Sequence, residues 1–472
     1  MDIAHLTLAD AASAIAAHKL SPVELTKAYL QRIDTFDSAI CSFITVLHEG
    51  ALQDAKKAEI EIQAGMYRGP LHGIPIALKD IIETAGVRTS AHSRVLENYV
   101  PVADAVVVTK LKDAGAICLG KLSCLEFAHA RPSPDQAWPQ ARNPWNVKHG
   151  FTGGSSTGSA AAIGAGFALA TLGTDTGGSV RNPAALCGIA GLMPTYGRVS
   201  RRGVIPYSFS LDHVGPLAWT SLDCALVLSA IAGHDPEDPG SAVEKSENFA
   251  AGLGGDLKGM RIGWLRHFYE EDMSADDDTR NAISQSVDLL RSLGADVQEV
   301  RARPLLDYHD CKLIIGAAEF WAVHEKDFAK NFALYGDDLK TKTFQGAMLS
   351  SADYIQAQRY RRKLASDMLA TIEPYDALVT AINFRPAPLI EDKPRARSDF
   401  IQHPNITAVF NVTGMPAISI CNGFSRSGLP LACQIAGHPF GETSILRIAH
   451  ALECNTPWSK RRPNLTENGA TS

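Results

Sequence analysis

The spacing of apolar positions changes character near residue 70. Before it, Val23, Leu25, Tyr29, Leu30 and Ile33 recur at helical intervals behind Ser21-Pro22-Val23-Glu24. That start predicts a helix with a serine cap and proline at its first position, the Glu24 carboxylate reaching back to close a capping box. Beyond residue 70, short apolar runs alternate with longer amphipathic ones. Residues 74–78 predict a strand ending at Lys79. Residues 104–114 predict a helix stopped at Gly115, with the next strand at 116–119. Further strands are predicted at 260–264, 297–300, 377–381, 417–421 and 431–435. A helix is predicted over 276–293, with Ile283, Val287 and Leu290 on one face and Gly294 closing it. Strands alternating with helices predict an α/β fold whose sheet is covered on both faces.

No linker-like stretch or internal repeat divides the chain, so residues 1–472 are expected to form one domain. A helical N-terminal arm covers about 1–65. The stretch 301–370 is the most polar and helix-rich, and reads as an excursion from the core where a substrate pocket could be built.

Composition narrows the function classes. A net charge of −6 gives no electrostatic reason to expect nucleic acid as a partner. The basic run Arg359-Tyr360-Arg361-Arg362-Lys363 reads as a solvated helix face. Nine cysteines without paired spacing read as reduced thiols rather than a disulfide framework. The apolar stretch 160–172 is broken by Gly164 and Gly166 and falls short of a membrane span, and no leader is evident at Met1–His5. We expect a cytoplasmic protein with no membrane partner.

The chemistry concentrates between Lys79 and Ser179. Two loops, Gly153-Gly154-Ser155-Ser156-Thr157-Gly158-Ser159 and Gly173-Thr174-Asp175-Thr176-Gly177-Gly178-Ser179, flank a predicted helix at 160–164 and a strand at 167–172. Taken alone, each reads as a tight turn. Neither carries the Gly-Lys-Ser/Thr of a phosphate loop, and Gly164-Ala165-Gly166 precedes a strand where a dinucleotide fingerprint follows one. His72, His92, His129, His149 and His213 invite a Ser-His-Asp reading, but no nucleophile elbow accompanies them. Cys124 and Cys187 read as core thiols. No metal-ligand spacing is present, so no cofactor or metal is expected.

The two loops together, continued by Val180-Arg181-Asn182-Pro183-Ala184-Ala185-Leu186-Cys187-Gly188, resemble the amidase signature. Gly69 to Asp80 resembles that family's lysine strand. Asn143-Pro144-Trp145, Leu211-Asp212-His213-Val214-Gly215-Pro216, Gly414 with Pro416, and Gln434 with Gly437 resemble its remaining motifs in order. Thr157 and Met193 depart from the usual glycine and lysine.

The resemblance implies a large mixed β-sheet and a serine hydrolase with Ser179 as nucleophile, Ser155 as bridging serine after a cis peptide bond, and Lys79 as base. It implies an oxyanion hole from the backbone N–H groups of Thr176, Gly177, Gly178 and Ser179. Such roles make chemical sense: a serine hydroxyl needs a neighbour to take its proton, and a lysine can do so only when neutral. The expected activity is hydrolysis of C–N bonds in small neutral amides, with esters and carbamates (urethanes) as further substrates, by a free-standing monomer or homodimer. The alternative is the glutaminase subunit of a tRNA-dependent amidotransferase. Those relatives hold the glutamine amine with an acidic residue where this chain has Pro404. That substitution, together with apolar Ile406, Val409 and Phe410, favours the free-standing reading at this level.

Overall fold

Eleven strands form one sheet in a computed structural model that describes residues 3–131, 135–147, 150–254, 256–389 and 404–466. They are β1 (Phe43–Val46), β2 (Pro75–Lys79), β3 (Ile117–Leu122), β4 (Ala170–Asp175), β5 (Ala190–Met193), β6 (His213–Ala218), β7 (Arg261–Trp264), β8 (Asp296–Glu299), β9 (Ala377–Ala381), β10 (Ala417–Phe424) and β11 (Pro430–Gly437). Their order across the sheet is β1-β3-β2-β4-β6-β5-β10-β11-β9-β7-β8. β2 runs parallel to β3 and β4, and β4 antiparallel to β6, so the sheet is mixed. All eight residues of β11 are buried. Strand side chains alternate between faces, so such a strand must be covered on both. The sheet and its helices share one large apolar core.

Two expectations at the N-terminus need correction. Ser21 does cap the helix Pro22–Ile40, accepting from the Glu24 N–H at 3.1 Å. Glu24, however, pairs with Lys27 at 2.7 Å instead of completing a capping box. The arm is also not wholly helical, because β1 lies within it and pairs antiparallel with β3 at the sheet edge.

The excursion is three helices, Leu305–Asn331, Asp337–Ala347 and Ser351–Ile372. A second apolar cluster, including Phe127, Tyr207, Phe320, Phe328 and Leu339, ties them to loops near the strand ends. Among the described residues no helix is long and apolar enough to cross a membrane.

Candidate active site

Lys79 is the last residue of β2, a strand buried throughout. Its ammonium donates to Ser155 Oγ at 2.7 Å and to Thr174 Oγ1 at 2.8 Å. Burial lowers its pKa to about 8, against the opposing pull of Cys124, Asp212 and Asp175. Thr174, on the neighbouring strand β4, is a partner the sequence did not single out. Its signal was its place two residues after the strand's apolar run, inside the second loop motif.

The two serine loops are stitched together. The Ser156 N–H donates to the Ser179 carbonyl at 3.2 Å, Ser156 Oγ to the Thr174 carbonyl at 3.2 Å, and the Gly154 N–H to Asn182 Oδ1 at 3.2 Å. The Gly154–Ser155 peptide bond is cis. Ser155 and Ser179 line one cleft of about 680 Å³, together with Gly154, Gly177, Asn182, Lys312 and Thr407. Among the described residues the Ser179 hydroxyl makes no hydrogen bond.

The turn leading to Ser179 is held from below. Asp175 accepts from the Gly178 N–H at 2.6 Å and the Val180 N–H at 3.1 Å, and from Arg181 through Nε and Nη2, each at 3.0 Å. Burial alone would raise this carboxyl's pKa; Arg181, followed by Asn411, outweighs it and holds the group well below the usual range. Arg181 in turn donates to Gln434, Asn411 and the Thr407 carbonyl. Thr407 Oγ1 donates to the Gly177 carbonyl at 2.7 Å. Gly178 has φ +117°, and a Cβ there would stand 2.2 Å from Thr407 Oγ1, so only glycine fits.

The Gly178 N–H is held by Asp175 at 2.6 Å, while the N–H groups of Thr176, Gly177 and Ser179 carry no hydrogen bond among the described residues. Thr176 is further fixed by its hydroxyl, which donates to Asp212 at 2.6 Å. Asp212, raised to about 6 by burial, stood out in the sequence only as part of a motif.

The other candidates sit elsewhere, are held by neighbouring groups or pack on the cleft wall. His92 and His213 are lowered to about 4 by burial and bound to backbone carbonyls. His72 pairs with Glu61. His129 lines the cleft but packs on Tyr207 and Phe320. His149 lies outside the described residues. Burial pushes the Cys124 thiol up to about 12 and the Cys187 thiol still higher. All nine cysteines are unpaired. Among the described residues no group of three or more His, Cys, Asp or Glu is arranged to hold a metal ion.

A mixed eleven-stranded sheet with these motifs at its strand ends defines a class, and the Amidase family profile matches residues 24–446. The chain belongs to the amidase family and is a hydrolase acting on carbon–nitrogen bonds. It is 39% identical over 497 residues to a glutamyl-tRNA(Gln) amidotransferase subunit of Geobacter metallireducens, covering 98% of this chain and all of that one. Among solved structures it is similar to the Thermotoga maritima protein of that same name, with a TM-score of 0.81 and 33% identity over 97% of this chain and 96% of that one. It is also similar to the peptide amidase of Stenotrophomonas maltophilia, with a TM-score of 0.85 and 32% identity over 98% and 99%.

Full-length similarity to amidotransferase subunits overturns two expectations. One is the free-standing enzyme for small neutral amides; the other is the partner list of a small-molecule substrate only, no nucleic acid, and a monomer or homodimer. The expectations failed for physical reasons. Pro404 is one side chain, and a specificity residue can be replaced while the rest of a pocket is kept. Net charge describes this chain's own field and says nothing of a nucleic acid reached through an assembly.

Proposed function

We propose that this chain is the glutamine-hydrolysing subunit of a tRNA-dependent amidotransferase, releasing ammonia through an acyl-enzyme on Ser179. The observation that carries the chemistry is the buried Lys79 bonded to Ser155, which lines one cleft with Ser179. The choice of glutamine and of an assembly rests on similarity along the whole chain to relatives named as such subunits.

In this reading Ser179 Oγ attacks the amide carbon. Its proton passes to Ser155 as Ser155 gives its own to neutral Lys79. The carbonyl oxygen becomes an oxyanion held by the N–H groups of Thr176, Gly177 and Ser179, each worth about 3 kcal/mol at the transition state. Collapse breaks the C–N bond while Ser155 protonates the departing nitrogen, Lys79 restoring the proton to Ser155. Ammonia leaves and a Ser179 ester remains. Water, deprotonated by the same relay, then releases the carboxylic acid and regenerates Ser179. Asp175 and Arg181 hold the turn and take no proton. Nine unpaired cysteines suit a reducing, cytoplasmic setting.

The test is ammonia release from amide-labelled glutamine by the chain co-expressed with its amidotransferase subunits, with and without glutamyl-tRNA. Ser179→Ala should lower release at least about 10⁴-fold. Release that persists in that variant, or glutamine left intact by the full assembly, overturns the reading.

A further inference from the structure

Lys312 lines the cleft beside the nucleophile turn without an ion pair of its own among the described residues. Lys312, on the helix Leu305–Asn331, lies across the turn that precedes the nucleophile. A Cβ placed on Gly177 would stand 2.8 Å from Lys312 Cε and 3.4 Å from its Nζ. The ammonium donates to Tyr207 Oη at 3.2 Å and lies 5.2 Å from the centre of that ring. Among the described residues it forms no ion pair.

The surrounding acids are engaged elsewhere. Asp212 accepts from Thr176, Tyr207 and Ser208, and Asp175 from Arg181, Asn411 and the Gly178 turn. Lys342 lines the same cleft and makes the contrast plain. Its ammonium pairs with Asp338 at 3.1 Å and donates to the His129 carbonyl at 2.6 Å. Lys312 has a phenol and an open cleft. A desolvated ammonium without a counter-charge is costly, and an anionic ligand group removes that cost on binding. Burial lowers its pKa to about 8, against the opposing pull of Asp212 and Asp175, so the bare ammonium is disfavoured there.

We propose that Lys312 sets specificity for the acyl half of the substrate by binding a carboxylate carried a short chain away from the scissile carbonyl. In glutamine, on which the name of that substrate rests through the reading above, this is the α-carboxylate. With the carbonyl oxygen at the Gly177 turn, the ammonium beside that turn is within reach of the far end of a short acyl chain. The acyl half is therefore anionic, where a purely apolar pocket would have taken a neutral one. Tyr207 holds the ammonium in place, its ring packed on His129 and Phe320.

The experiment compares kcat/KM for glutaramic acid, a five-carbon half-amide with a free carboxylate, with that for pentanamide, its uncharged match. It uses the full chain with its co-expressed subunits and also measures glutamine. The wild-type protein should prefer glutaramic acid. The preference ratio should fall at least tenfold in Lys312→Met, chiefly through KM, and stay within threefold of wild type in Lys312→Arg. Labelling of Ser179 by an uncharged fluorophosphonate reports that each site is assembled, and Lys312→Gln replaces Lys312→Met if the latter does not label. A ratio unchanged in a labelled neutral variant, or no wild-type preference for the acid, overturns the proposal. If the ratio responds to Lys312 while glutamine is not hydrolysed, the glutamine reading falls and the carboxylate subsite stands. If glutamine is hydrolysed and the ratio ignores Lys312, the reverse holds.

Discussion

Lys79 is an ordinary lysine in an unusual place, and its surroundings set its proposed role. Burial lowers its pKa to about 8. The sign follows directly. Below that value the ammonium predominates and no base is present; above it the amine predominates. Amide hydrolysis should therefore rise with pH at a slope near one and level off above about 8, as a kcat/KM profile checks. A profile falling across that range would remove Lys79 as base. Lys79→Ala should cost about 10²–10⁴-fold in amide hydrolysis and less in ester hydrolysis, because an ester's leaving group relies less on proton delivery. Equal losses for an amide and an ester would count against the relay. The serines, the lysine and the turn between Thr176 and Ser179 could be nominated from sequence because their motifs are local, and the structure places Ser155 beside Lys79 and in one cleft with Ser179. Thr174, Asp212 and Lys312 were not singled out: each matters through a contact with a residue far along the chain or on a neighbouring strand, or with Tyr207 on a facing loop.

At the scale of elements, the strands with a plain apolar run were legible to within a few residues, as β9 (Ala377–Ala381) shows. Three were missed for identifiable reasons. β6 contains Gly215 and Pro216, residues that demote a strand assignment, yet Pro216 sits opposite Leu172 within the sheet. β5 is Ala-Gly-Leu-Met, short and without a β-branched residue. β1 is four residues between two helices. The excursion was legible as helical, but not what anchors it. Glu319, buried on the helix Leu305–Asn331, accepts from Ser208, the Ser210 N–H, Tyr354 and Gln358, joining that helix to Ser351–Ile372 and to the loop beneath Asp212. Glu319→Ala leaves these donors unpaired. It should cost on the order of 3 kcal/mol in denaturant unfolding and raise amide exchange across 305–372. Unchanged stability and exchange would show the tie to be dispensable.

For the whole molecule, the sheet carries Lys79 and Thr174 on adjacent strands, and the excursion brings Lys312 over the turn from a segment more than a hundred residues later. The α/β class was legible in the alternation of periods. The context in which the chemistry is used was not, since a chain's own charge and one pocket position do not reveal what it assembles with. The direct measurement of the central claim is mapping of the acyl group. The assembly, given glutamine and quenched in acid during turnover, should yield a γ-glutamyl ester on the peptide containing Ser179, absent in Ser179→Ala and released as the hydroxamate by hydroxylamine. Turnover without an acyl group on Ser179, or an acyl group on Cys124 or another residue, would contradict the account.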